Sequence, residues 1–195
     1  MILLLLAAAA SPAPAIPPAT PEELVRLRDS MRCIAAAAPM QSTKLLDERS
    51  GTDGTTQADM YKLLNTNKRC FGFDTMRARG VVVPGFLAEA QLRKMPTERA
   101  TQAVAYRADA PNIKARDEGE AIALCTVRLK PMESWAVFAT APGSPEEKAA
   151  IAPLLPTLSE CTPATAQAKF NRPGLRAVLA LAYRRLVLFS GAKLS

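Results

Sequence analysis

Asp117, Glu118 and Glu120 form the densest acidic group in the chain. Two such carboxylates facing a pocket could serve a small hydrolase or lyase. The same residues also suit the first turn of a helix, where the macrodipole favours negative charge. No histidine occurs anywhere. That removes Ser-His-Asp and Cys-His catalysis, His-ligated zinc and axial-His haem together. Acid–base chemistry would fall to Asp, Glu, Lys, Tyr or Cys. The stretch Ser50 to Thr56 holds Gly51, Asp53, Gly54 and Thr55 on a loop of the kind that often carries function. It lacks the Gly-x-x-x-x-Gly-Lys-Ser/Thr pattern of a phosphate cradle and the spaced acids of a Ca²⁺ loop, so it reads as an interhelical turn. No catalytic residue, cofactor or metal site is assigned from these patterns.

The formal charge is +7, and nothing charged precedes Glu22. The strongest basic group is Lys169, Arg172, Arg176, Arg184 and Arg185, interleaved with Leu175, Val178, Leu179, Leu181, Leu186 and Leu188. It could bind anions, or lay a helix on an anionic membrane surface. The arginines do not share one helical face, so a core helix with its arginines snorkelling outward is the preferred reading. Basic residues elsewhere are dispersed rather than blocked, and nucleic acid is not expected as a partner.

The four cysteines allow three pairings. A shift of 92 residues superposes Cys33 on Cys125, Pro39 on Pro131, Met40 on Met132, Ser42 on Ser134 and Gly51 on Gly143. After one single-residue gap Cys70 meets Cys161. This order suggests a diverged tandem duplication, with one disulfide in each half: Cys33–Cys70 and Cys125–Cys161. A four-thiolate zinc site is the rival reading, but no C-x-x-C knuckle is present.

Residues 1–15 read as a secretory signal. An apolar run, Ile2 to Ala10, is too short to span a bilayer and is followed by a small-residue site at Ala13 and Ala15. Cleavage is expected after Ala15; no Lys or Arg precedes it, so either the N-terminal amine supplies the only positive charge or the start lies a few residues upstream. Residues 16–21 form a stiff linker, 22–95 a first helical unit, 96–113 a connector and 114–190 a second unit.

The elements that must position these residues are helical. Apolar residues are 49% but aromatics only 5%, so the core must be Leu, Val, Ile, Met and Ala. Thr20, Pro21 and Glu23 carry a capping box ahead of Leu24, Leu27, Met31 and Ile34 at helical spacing. Ser144, Pro145 and Glu147 repeat that signal ahead of Ile151, Leu154, Leu155 and Leu158, where Pro153 and Pro156 should kink or split the helix. Further helices are expected over 39–48 (burying Met40, Leu45 and Leu46), 56–68, 86–95, 97–107, 117–130 (with Leu129 on the buried stripe), 131–139 and 174–189. Phe71, Phe73 and Thr75 alternate as a short extended piece, and Val81 to Val83 has β character cut off by Pro84-Gly85. The fold class is mainly α: two diverged tandem units of three to four short helices, each stapled by one disulfide.

The run Cys125 to Pro131, then Trp135-Ala136-Val137-Phe138-Ala139-Thr140-Ala141-Pro142-Gly143-Ser144-Pro145-Glu146-Glu147, resembles a repeated unit of uncharacterised secreted alphaproteobacterial proteins. In that unit a Cys-bearing helix runs to a Pro, an Ala/Leu helix, a Pro-Gly-Ser turn, a second Cys and a basic Ala/Leu helix. The resemblance covers about residues 114–186 and, more loosely, 22–95, where Ser50-Gly51-Thr52 replaces Pro-Gly-Ser. It implies export and helical repeats, and carries no activity. The expectation is therefore an exported, periplasmic or secreted, non-catalytic helical protein without a transmembrane span, whose partner would be an anionic envelope component. A carboxylate hydrolase or lyase, and a binder of anionic lipid or polysaccharide, are the alternatives.

Overall fold

The computed structural model describes residues 18–49, 54–72, 80–106, 113–192 and 194. The expected signal segment, Asp53, Phe73 and Thr75 lie outside them. Among the described residues the chain is helical, with no strand. Its elements are α1 (Pro21–Ala37), α2 (Pro39–Arg49), α3 (Gly54–Thr66), a 3₁₀ turn (Lys68–Cys70), α4 (Val82–Leu92) and α5 (Thr97–Val104). Then follow α6 (Glu118–Leu129), α7 (Pro131–Ala139), α8 (Pro145–Ile151), a 3₁₀ turn (Ala152–Leu154), α9 (Leu155–Cys161) and α10 (Arg172–Phe189).

The capping signal acts as the sequence implies at Thr20 and only in half at Ser144, whose Oγ accepts from the Glu147 amide at 3.1 Å while the Glu147 carboxylate accepts from the Gly143 amide rather than from the cap's own. At α1, the Glu23 amide donates to Thr20 Oγ1 at 3.2 Å and the Thr20 amide to Glu23 Oε2 at 2.8 Å. The prolines divide the helix expected after Ser144 into α8, a 3₁₀ turn and α9. The tighter turn rotates the register, so Thr157 is buried while Leu155, expected in the core, is 56% exposed.

Both disulfides form with the expected pairing, Cα atoms 5.5 Å apart for Cys33–Cys70 and 5.8 Å for Cys125–Cys161. No free thiol remains for zinc. Each disulfide closes a unit of the same plan, in which a Cys-bearing helix meets a Pro-initiated helix. The two junctions share a backbone conformation: Ala38 has φ −137° and ψ 60°, and Lys130 has φ −133° and ψ 61°. Each junction residue donates its amide to the carbonyl four residues back, Ile34 or Thr126, at 2.8 and 2.9 Å. The break turns the next helix sharply, and Met40 and Met132 point outward at 79% and 57% exposure, correcting the expectation that Met40 is core. Leu129, just before the second break, is likewise exposed.

The expected break at Pro84-Gly85 does not occur. α4 begins at Val82 and runs through both residues. Pro84 falls in the first turn, where backbone N–H groups have no intrahelical acceptor, so its missing donor costs nothing. Gly85 serves packing instead: a Cβ there would fall within the radii of the Ala177 Cβ and Cα atoms on α10. α4 is buried almost all round, from Val83 to Leu92 apart from Pro84. It packs chiefly on α10 and on α1, while α10 also packs on α6, α5 and α7. One apolar core therefore runs through both units, and α5, inside the sequence connector, belongs to it through Ala100 and Val104.

Gly85→Ala is expected to destabilise the protein by about 1–3 kcal/mol, because the clash is with backbone and the two central helices must separate. The gain of up to about 1 kcal/mol in helix propensity does not offset it. Gly72→Ala, where a Cβ meets nothing within 4 Å, should stay within about 0.5 kcal/mol of wild type. Urea denaturation of the two variants separates the effects, and equal midpoints would refute the close approach.

Candidate functional site

The acidic group is held by the helix start it forms. Asp117 caps α6, its Oδ1 accepting from the Glu120 amide at 2.8 Å. Glu118 Oε2 accepts from the amides of Gln167 and Ala168 at 2.9 and 2.7 Å, tying the segment after α9 to α6. Glu120 accepts from the Arg116 amide at 2.6 Å and pairs with Arg185 at 2.6 Å. Each carboxylate has its own partners, and the three do not converge on a common opening.

The basic group is dispersed by the fold. Arg172 lies at the surface and donates to the carbonyls of Gly143 and Ser144 at 3.4 and 3.2 Å. Lys169 is exposed on the segment before α10. Arg176 is fully buried and Arg184 nearly so, which corrects their expected place in an outward-facing anion site. The reason is that α10 is central: the sides carrying Arg176 and Arg184 pack on α4 and its neighbours, while a stripe at Val178, Leu181, Arg185 and Leu188 stays only half-buried.

Arg176 organises a charged centre in the core. Its Nε and Nη2 donate to Glu89 Oε2 and Oε1 at 2.8 and 2.9 Å, a bidentate pair between α10 and α4. Its Nη1 donates to Glu147 Oε1 of α8 at 2.9 Å and to Thr140 Oγ1 at 3.3 Å. Nη2 also donates to the carbonyls of Phe138 and Thr140 at 3.2 and 3.1 Å, around the end of α7. Arg93 and Arg28 donate to those two carbonyls from the rim, each at 3.2 Å. Arg32 and Arg93 stand 3.9 Å from Glu89. Burial alone would lower the Arg176 pKa; the hydrogen bonds and charge of Glu89, then Glu147, outweigh it and hold the pKa above the ordinary guanidinium value. Glu147 Oε2 meanwhile accepts from the Gly143 amide at 2.8 Å, one residue before the Ser144 cap. Gly143 itself has φ 79°, a left-handed conformation, and its α-carbon faces Pro21 of α1. Glu89 and Glu147 are thus a convergent acid pair that sequence reasoning missed, but both are closed to solvent and occupied by Arg176.

Open space lies beside the last turns of α10. One cleft of about 370 Å³ is bordered by Arg99, Gln102, Arg128, Leu186 and Phe189. A second, of about 380 Å³, lies between α2, the approach to α6 and α10. Arg116, Arg184 and Arg185 line it, together with Leu46, Leu181, Leu188 and Phe189. Asp47 stands at its edge, 46% exposed, with Oδ1 2.7 Å from Arg184 Nη2. Arg184 Nε donates to the buried Gln91 of α4 at 2.6 Å. Burial, with the charge of Arg116, lowers the Arg184 pKa against the pull of Asp47. Arg185 also donates to the Lys114 carbonyl at 2.9 Å, and Arg116 reaches Glu120 only at 3.9 Å. Two members of the basic group thus share this cleft with Arg116, which no sequence pattern had joined to them. Among the described residues no group of three or more Cys, Asp or Glu could hold a metal, and no helix is long and apolar enough to cross a membrane. No protein-family model, curated protein or solved structure matches the chain.

Proposed function

We propose that this protein is an exported, non-catalytic helical binding protein of the cell envelope or its surroundings. The observation that carries the reading is the contrast between its acids and its open surfaces. Asp117, Glu118 and Glu120 are each taken up by backbone amides or an arginine, and Glu89 and Glu147 by Arg176, whereas the accessible clefts beside α10 are lined chiefly by arginines and apolar side chains, with Asp47 at the edge of one. Such clefts suit recognition: apolar walls bury a ligand and a few fixed polar groups orient it.

Export is supported by two disulfides, which persist in oxidising compartments outside the cytoplasm, and by the signal-like segment at residues 1–15. A hydrolase or lyase would need two convergent acids open to substrate; the one convergent pair described, Glu89 and Glu147, has no accessible face.

Fractionation of natively expressed protein with N-terminal sequencing tests this reading. The expected result is a chain starting at or near Ile16, recovered outside the cytoplasm and retained on native envelope material in low salt. An intact Met1 on cytoplasmic protein would overturn it, as would turnover of an envelope substrate that disappears on replacing Asp117, Glu118 or Glu120.

A further inference from the structure

The cleft between α2, the approach to α6 and α10 has a cationic side and an apolar side. One side is cationic: Arg116, Arg184 and Arg185 line it, against Asp47 and Glu120 as the anions within pairing distance. Among the described residues one positive charge is left over. The loosest pairing is that of Arg116, 3.9 Å from Glu120 and about a third exposed. The other side is apolar, made by Leu46 of α2 and by Leu181, Leu188 and Phe189 of α10, with Phe189 49% exposed. The volume of about 380 Å³ falls at the small end of the range for ligand pockets.

We infer that this cleft binds a small amphiphilic anion, with a carboxylate or phosphate head on the partly exposed Arg116 and Arg185 and a short acyl chain along Leu181, Leu188 and Phe189. The proposal rests on the binding reading above and names its ligand class. Three features of the site favour a bound molecule over a membrane surface. The arginines are fixed in advance: Arg184 is held by Gln91 and Asp47, and Arg185 by the Lys114 carbonyl and Glu120. The apolar wall is built from two helices, α2 and α10, rather than from one helix face. The single surplus charge matches one head group, whereas a lipid surface calls for a broad basic face.

Titration calorimetry on the mature, oxidised protein tests the assignment with decanoate, decyl phosphate, decanol, decyltrimethylammonium and inorganic phosphate. Decanoate or decyl phosphate should bind one to one, at least about tenfold tighter than decanol or the cationic analogue, as expected when one charge-assisted contact is gained. Inorganic phosphate should bind far more weakly than either chain-bearing anion. Arg116→Gln should weaken the anions by about tenfold and leave decanol unchanged, with an unaltered melting temperature because its ion pair is loose and partly exposed. Leu188→Ser should weaken every chain-bearing ligand. Equal affinity for decanoate and decanol would overturn the proposal, and so would equal affinity of wild type and Arg116→Gln for the anions. Binding to anionic vesicles without binding of the free amphiphiles would also overturn it, in favour of an interfacial helix. Export is read separately by fractionation, so an exported protein that binds none of these probes would end the ligand assignment alone.

Discussion

Arg176→Met is expected to lower the unfolding free energy by about 3–5 kcal/mol, the cost of leaving buried carboxylates without their countercharge. Against a typical total of about 5–15 kcal/mol, this is a large share of the stability. Glu89 and Glu147 are both closed to solvent, and the rim arginines stand 3.9 Å from Glu89, beyond hydrogen-bond length. Arg176→Lys should fail nearly as badly, since an ammonium cannot reproduce the two-pronged pair with Glu89 while also reaching Glu147. The combined variant Arg176→Met, Glu89→Leu, Glu147→Gln should recover much of the loss. It removes the stranded charges, and the amide oxygen introduced by Glu147→Gln remains an acceptor for the Gly143 amide. Chemical denaturation followed by circular dichroism measures all three. An Arg176→Met variant within about 1 kcal/mol of wild type would mean that the charged centre does not hold α4, α8 and α10 together.

Removing either disulfide should cost about 3–4 kcal/mol, because loops of 37 and 36 residues release similar conformational freedom in the unfolded chain. The two losses should nevertheless look different in the native state. The 3₁₀ turn carrying Cys70 packs on α1, and α3 before it leans mainly on α2. The helix carrying Cys161, α9, lies along α6 over a longer stretch. Cys33→Ala with Cys70→Ala should therefore raise amide exchange across residues 58–72 well before global unfolding. Cys125→Ala with Cys161→Ala should leave α9 protected until the whole protein opens. Exchange that is uniform in both variants would show that the disulfides act on the unfolded chain alone.

Local signals in the sequence were legible where neighbours along the chain decide the outcome. The caps at Thr20 and Ser144, the Pro-led starts of α1, α7 and α8, and the split at Pro153 all follow from hydrogen bonds within a turn or two. The disulfide pairing was legible because the halves repeat their spacing. Burial that depends on a distant partner was not. Arg176 and Arg172 look alike in sequence, yet one is in the core and one at the surface, because only Arg176 meets Glu89, 87 residues away. Glu89 itself gives no signal: one acid among apolar residues reads as the solvent edge of a helix. The outward turn of Met40 and Met132 was equally hidden, since it depends on the bend at Ala38 and Lys130 rather than on periodicity. The arginine-lined cleft joins α2, residue 116 and α10, three places that no local motif links.

The central place of α10 bears on the order of events when the chain emerges from its N-terminus. Cys33 and Cys70 can meet as soon as the first unit has emerged, yet α4 is then left without the helix that covers it. Glu89 and Gln91 have their arginine partners 87 and 93 residues later. Until those arrive, the side of α4 that α10 covers, with Glu89 on it, stays exposed to water, chaperones and proteases while α1 covers another. Early oxidation thus tethers the first unit without completing it, and a helix of the second unit, α10, is the one that closes the core of the first.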